Sequence, residues 1–317
     1  MVTRRLPDEA LALLAGASDI WLSPHDRPLT DDELHAAVAG ADAVVTMLYD
    51  RVDNAFLDAA GRQLRCVANV AVGYDNIDLD AARGRGVTVT NTPGVLTDAT
   101  ADLAMALILM ATRRVGEGER LVRTGQSWAW EMFFLLGTGL QGKTLGVIGL
   151  GAIGRATARR ARAFGMEIVY HGRRRAPEDV EAELGGARGL ELDELLATAD
   201  VVSIHCPLTP ETHHMIGARR LALMRPNAYL VNTARGPIVD EAALVQALRN
   251  RAIAGAGLDV FEREPEVHPG LLELDTVVLV PHLGSATIET RTAMAILAAR
   301  NAIAVVQGET PPTPVEP

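Results

Sequence analysis

Cysteine is scarce. Only Cys66 and Cys206 occur, far apart and without metal-ligand spacing. That excludes a disulfide framework and fits buried or half-buried thiols in a reducing compartment. Positive charge is also short, with 30 Lys and Arg against 40 Asp and Glu and a net charge of −10. No basic block outweighs that deficit, so no nucleic-acid partner is expected. Aromatics make up 4% of the chain. The longest apolar run, Leu103 to Ala111, is too short to span a bilayer and reads as a buried helix. Asp8 and Glu9 interrupt the early apolar run, so no signal peptide is expected. These absences point to a cytoplasmic protein with no membrane partner. His25, His35, His171, His205, His213, His214 and His268 form no pair with metal spacing, so no metal is expected.

What is present is a βα rhythm. With 317 residues, 48% of them hydrophobic, the chain can build two domains with sizeable cores. Met1–Arg4 reads as a shortened first strand. Asp19–Leu22, Ala43–Met47, Arg65–Asn69 and Val87–Thr90 read as strands, with helices at Asp31–Ala39, Asp53–Ala60 and Asp78–Arg83. Strand, helix, strand in this order predicts parallel units buried on both faces. A long helix at about Ala99–Arg114 follows, then an aromatic segment, Ser127–Phe134, suited to a subunit contact. The rhythm restarts at Gly142 with six strands, at Thr144–Gly149, Glu167–Tyr170, Asp200–His205, Ala228–Asn232, Gly255–Leu258 and Thr276–Val280. That is a doubly wound sheet. The last helix, Ile288–Val306, is expected to return to the first unit, so that 1–98 with 286–317 forms one discontinuous domain and 99–285 the other. Pro311-Pro312 reads as a loosely held tail.

The second domain carries Gly149-Leu150-Gly151-Ala152-Ile153-Gly154 between an apolar strand and an alanine-rich helix. In that setting the first glycine allows a tight turn, the second admits a pyrophosphate and the third brings helix and strand close. The backbone of Gly149, Gly151, Ala152, Ile153, Gly154 and Arg155 is therefore expected at a dinucleotide, under the positive end of a helix. The acid that normally ends the second strand and binds the ribose 2′-hydroxyl is missing. Tyr170 is followed by His171-Gly172-Arg173-Arg174-Arg175. A carboxylate there would repel a 2′-phosphate, whereas Arg173 and Arg174 beside Gly172 would bind it. NADP(H) is expected over NAD(H).

Ligands of such sheets bind beyond the carboxyl ends of the strands. Arg235, Glu264 and His282 each follow a strand and should share that edge. Arginine offers a planar fork for a carboxylate. Histidine can give a proton to a carbonyl oxygen as hydride arrives, and a neighbouring carboxylate favours its charged form.

Asn232-Thr233-Ala234-Arg235-Gly236, Gly257 to Pro265 and Pro281-His282-Leu283-Gly284-Ser285-Ala286-Thr287 resemble the D-isomer-specific 2-hydroxyacid dehydrogenases. Among them the chain looks most like the glyoxylate/hydroxypyruvate reductases, over Arg4 to Pro314. The resemblance implies a Rossmann cofactor domain and a smaller flavodoxin-like substrate domain. It implies that Arg235 anchors the substrate carboxylate, His282 is the general acid and Glu264 orients it. It places Val72 and Gly73 at the same carboxylate, with Leu48 and Ser285 lining the pocket. Thr100, Cys206-Pro207, Thr233, Ala234, Asp259 and Gly284 are implied at the cofactor. Trp130 is implied to reach a neighbour's pocket in a homodimer. Reduction of glyoxylate and hydroxypyruvate by NADPH is the expected activity. Two alternatives stay open: a dehydrogenase of another D-2-hydroxy acid such as 3-phosphoglycerate, and a non-catalytic NAD(P)H-sensing protein like the family's corepressors.

Overall fold

The computed structural model describes residues 1–315, and the chain divides into two compact units, Met1–Leu96 with the segment from Ser285, and Thr97–Gly284. The boundaries expected after residues 98 and 285 compare with breaks after Leu96 and Gly284. Glu316 and Pro317, within the range expected for the first unit, lie outside the described residues.

In the first unit β1 (Ala43–Thr46), β2 (Cys66–Asn69) and β3 (Thr88–Thr90) pair in parallel in that order. Asp19–Leu22 and Met1–Arg4 are not full strands. They contribute single bridges, Val2 to Leu22 and Val2 to Val45. Pro7 and Pro24 stand close by, and proline has no N–H with which to extend a ladder. Counting the bridges, the order across the sheet is Leu22, Val2, β1, β2, β3, the 2-1-3-4-5 order of a flavodoxin-like sheet. Thr30, Asp53 and Asp78 each cap the helix that follows, each accepting from a backbone N–H. Such caps contribute about 1 kcal/mol apiece.

A helix over Asp8–Ala17, which the sequence reading did not name, packs Ala10 and Leu14 into the same cluster as the last helix, Ile288–Gln307. That last helix buries Ala295, Ala298, Ala299 and Ala302, the i, i+3, i+4, i+7 stripe of one face. Small side chains let it sit directly on Val45, Cys66 and Ala68 of the sheet. The tail beyond it, as far as Val315, is not loosely held. Pro314 bridges Thr90, Val315 N–H donates to Val89 O at 2.9 Å, and Thr313 and Asn301 exchange two hydrogen bonds.

The second unit is a seven-stranded parallel sheet: β4 (Thr144–Ile148), β5 (Glu167–His171), β6 (Arg188–Gly189), β7 (Val201–Ile204), β8 (Tyr229–Asn232), β9 (Gly255–Leu258) and β10 (Val277–Leu279). Its order is β10-β9-β8-β7-β4-β5-β6. Counted from β4, that is the doubly wound 3-2-1-4-5-6 order with one strand added. The strand missing from the sequence reading is β6, a two-residue edge piece without an apolar run. The expected long helix spans Thr97–Thr112, and a second, unexpected helix follows at Val115–Arg123. The strand order reverses at β4, with β5 and β6 on one side and β7 to β10 on the other, which opens a crevice at the carboxyl end of β4.

Candidate active site

The carboxyl ends of β5, β4, β7, β8, β9 and β10 follow one another across the second unit. Whatever follows each strand therefore lies along one edge.

After β4 comes the glycine loop. Gly149 has φ +96°, and a Cβ there would lie 2.6 Å from Cys206 N. At Gly154 a Cβ would lie 2.1 Å from Gly149 O, so only glycine lets the helix Ala152–Ala163 start this close to the strand. Gly151, its N-cap, provides no side-chain cap and has open space where its Cβ would be. Ala152 and Ile153 form the first turn, and Arg155 Nε donates to Leu150 O at 3.1 Å. The first amides of this helix thus face open space under the positive end of its dipole.

Next to it, after β5, Gly172, Arg173 and Arg174 are exposed. Arg173 and Arg174 make no side-chain hydrogen bond or ion pair among the described residues. Arg175 differs: its guanidinium is engaged by Glu181. After β7, Cys206 is half-buried and its thiol is pushed up to about 11 by burial, while Pro207 is exposed.

β8, β9 and β10 are adjacent, and each delivers one member of the expected trio. Past β8, Asn232 accepts from Ala234 N–H at 3.0 Å and donates to Arg235 O at 2.8 Å, which shapes the turn that presents Arg235. Gly236 lets that turn rest on the next loop, since a Cβ there would lie 1.9 Å from Phe261 C. Past β9, Glu264 Oε1 accepts from Phe261 N–H at 3.0 Å, and its Oε2 meets His282 Nδ1 at 2.8 Å. Burial pushes the Glu264 carboxyl up, but the hydrogen bond and charge of His282 prevail and hold it below its ordinary value. Past β10, His282 adopts φ +50°, with its N–H on Asp259 O at 2.8 Å. Its Nε2 makes no hydrogen bond among the described residues.

The structure commits Asp259 to the backbone. Its side chain is fully buried and accepts from the amides of Leu283 and Gly284, while burial pushes the carboxyl up to about 6. Thr100 donates to Gly284 O at 3.0 Å, so it too holds the turn that carries His282. Sequence reasoning missed a second brace. Glu241 and Glu262 exchange bonds through their amides and carboxylates at 3.1 and 2.8 Å, and His214 Nε2 lies 2.7 Å from Glu262. This fixes the loop bearing Glu264. Only the helix-starting Asp240-Glu241 pair in the sequence hinted at it.

In the first unit, Leu48 is exposed and Ser285 half-buried. Asn91 and Asn69 donate to the carbonyls of Val72 and Gly73 at 2.8 and 3.0 Å, and the amides of these two residues make no hydrogen bond among the described residues. Trp130 lies in the irregular segment of the second unit and is 77% exposed.

The profile of the family described as "D-isomer specific 2-hydroxyacid dehydrogenase, NAD binding domain" matches residues 105–284. A glyoxylate reductase of Thermococcus onnurineus is 50% identical over 99% of this chain and 94% of its own length. The chain belongs to the D-isomer-specific 2-hydroxyacid dehydrogenases. A Thermus thermophilus structure superposes with TM-score 0.91 at 46% identity, covering 99% of both chains. An NADPH-dependent glyoxylate/hydroxypyruvate reductase of Sinorhizobium meliloti, in complex with NADP and malonate, superposes with TM-score 0.84 at 35% identity over 99% of this chain and 95% of its own.

As a member of this family the protein is a nicotinamide-dependent oxidoreductase. Its residues fit such a cofactor. Thr233 Oγ1, at the end of β8, is a buried hydroxyl without a partner among the described residues, and Gly151 leaves room at the helix start. Among the described residues no helix is long and apolar enough to cross a membrane. Among the described residues no group of three or more His, Cys, Asp or Glu could hold a metal ion.

Proposed function

We propose that this dehydrogenase reduces glyoxylate and hydroxypyruvate to glycolate and D-glycerate, with NADPH as the preferred donor. The observation that carries the chemistry is the His282–Glu264 contact at 2.8 Å, one strand away from Arg235. A bound nicotinamide supplies the hydride. Glu264, charged and seated on the Phe261 amide, favours the imidazolium and takes up Nδ1–H, leaving Nε2–H to protonate the carbonyl oxygen. Arg235 cannot lose its charge, so it holds the substrate carboxylate and fixes the carbonyl beside that proton. The Val72 and Gly73 amides are assigned to the same carboxylate, with Leu48 and Ser285 as lining. Thr233, Ala234 and the loop from Gly149 to Arg155 are assigned to the cofactor, with Cys206 and Pro207 at its adenine end. Asp259, Gly284 and Thr100 support the nicotinamide end through the turn they share.

The cofactor preference rests on Arg173 and Arg174, exposed at the end of β5 where an acid would otherwise stand. A phosphorylated substrate is disfavoured because Arg51, the cation that the stretch from Leu48 to Arg51 offers, is paired with Asp53 at 3.1 Å. The exposed segment around Trp130 is assigned to a homodimer contact, and the cytoplasm to the protein's location. Glyoxylate, then hydroxypyruvate, mixed with NADPH or NADH in parallel, tests the reading. Rapid loss of NADPH absorbance and slow loss of NADH is expected. Preference for NADH overturns the cofactor assignment and leaves the enzyme class. No turnover with either acid sinks the substrate assignment and favours a cofactor-sensing role.

A further inference from the structure

The turn that carries Arg173 and Arg174 is built more firmly than an exposed basic turn needs to be. At its start, His171 O accepts from Gly149 N–H at 2.8 Å, which ties the turn to the glycine loop. His171 Nδ1 lies 3.0 Å from Leu190 O. At its end, Arg175 sets Nε and Nη2 on the two carboxylate oxygens of Glu181, each at 3.0 Å. The hydroxyl of the fully buried Tyr170 donates to the same carboxylate and accepts from Ala176 N–H at 2.9 Å. Gly189 of β6 makes room for this phenol, since a Cβ there would lie 3.1 Å from the ring. A buried carboxylate, a buried phenol and a forked guanidinium thus close the turn at both ends of its arginine pair.

We infer that Glu181, with Tyr170, is a positioning residue for cofactor choice: it clamps Arg175 and so holds Arg173 and Arg174 ready for the 2′-phosphate of NADPH. The inference rests on the NADPH reading and deepens it. Arg173 and Arg174 are long side chains whose ordering costs free energy on binding, so a turn fixed in advance lowers that cost. Holding Arg175 by two hydrogen bonds to a carboxylate also keeps the third guanidinium out of the phosphate position. The clamp is charged over the working range, because the Arg175 hydrogen bonds, then that of Tyr170, hold the Glu181 carboxyl down to about 2. NADH carries no 2′-phosphate, so the clamp has nothing to offer it.

The test is cofactor binding to the whole enzyme, by titration with NADPH and NADH, together with steady-state rates. In Glu181→Gln, NADPH affinity should fall roughly five- to tenfold, with NADH affinity and kcat at saturating cofactor unchanged. Tyr170→Phe, which deletes one hydroxyl, should show a smaller loss of the same kind. Glu181→Gln with Arg175→Gln should be no worse than the more impaired single variant, because both act through one contact. Equal loss of both cofactors, unchanged NADPH affinity or tighter NADPH binding in Glu181→Gln and Tyr170→Phe would overturn the inference. Failure of the underlying reading looks different: the wild type prefers NADH, or Arg173→Ala with Arg174→Ala leaves the preference as it was.

Discussion

His282 sits at φ +50°, a left-handed conformation that a non-glycine residue adopts at a cost of about 1 kcal/mol. The cost is met by its N–H on Asp259 O and by the two amides after it on the Asp259 carboxylate. The strain aims the ring at Glu264 and leaves Nε2 outward. His282→Ala should therefore lower kcat by roughly 10²- to 10⁴-fold with cofactor affinity intact, as measured by steady-state rates and titration. Arg235→Ala should act mainly on KM for the oxo acid, with kcat/KM down roughly a hundredfold or more. Comparable kinetics for wild type and either variant would remove the residue from its role. Glu264→Gln keeps an acceptor for Nδ1 but loses the charge that favours imidazolium. Pairing with His282 holds Glu264 low, so the carboxylate stays charged beside the ring. The variant should lower kcat with cofactor affinity intact, as measured by steady-state rates and titration. Arg235, Glu264 and His282 were legible in the sequence because each follows an apolar strand on the edge where such sheets bind ligands. Glu241 and Glu262 were not, because they meet through backbone amides across 21 residues of chain, which no spacing reveals.

The strands and most helices could be read because their signals are local: Val/Ile runs, and Thr30, Asp53 and Asp78 as caps. β6 could not, since two residues, Arg188 and Gly189, carry no periodicity and owe their pairing to Val169 and Tyr170 beside them. Asp19–Leu22 misled for the opposite reason: an apolar stretch with only a single bridging partner. The glycine loop is the element where sequence and packing agree in most detail, and it separates two kinds of damage. Gly154→Ala would drive a methyl into Gly149 O, so the helix must lift; a loss of about 1–3 kcal/mol and a lower Tm are expected. Gly151→Ala meets nothing in the protein, so stability should stay within about 0.5 kcal/mol of wild type while cofactor affinity falls. Thermal melts beside cofactor titrations check both. Equal destabilisation by the two would mean that Gly151 is there for the fold and not for the cofactor.

Over the whole chain, charge is deficient in cations, yet several carboxylates are set deep in arginine partnerships. Glu33 in the first unit is held down to about 2 by Arg27 and the Thr30 amide. In the second unit Glu181 is held to about 2 by Arg175 and Tyr170, and Asp193 to about 2 by Arg219 and Arg220. A carboxyl lowered in the fold contributes stability that is present above its unfolded value and lost as pH falls through the folded one. For these three the window runs from ordinary carboxylate values, about 4, down to about 2. Asp259 works the other way. Burial pushes it up to about 6, so its contribution is complete below ordinary carboxylate values and is lost as pH rises through about 6. Acid unfolding should thus set in below about pH 4, and it should be traceable to named groups. Asp193→Asn and Glu181→Gln should each lower Tm at about pH 6, yet approach the wild type at about pH 2, where about half of the native carboxyls are protonated. The Asp193 effect should shrink in high salt, because that pair is open to solvent. A Tm difference that stays constant from about pH 6 to about pH 2 would assign these side chains to packing and not to charge.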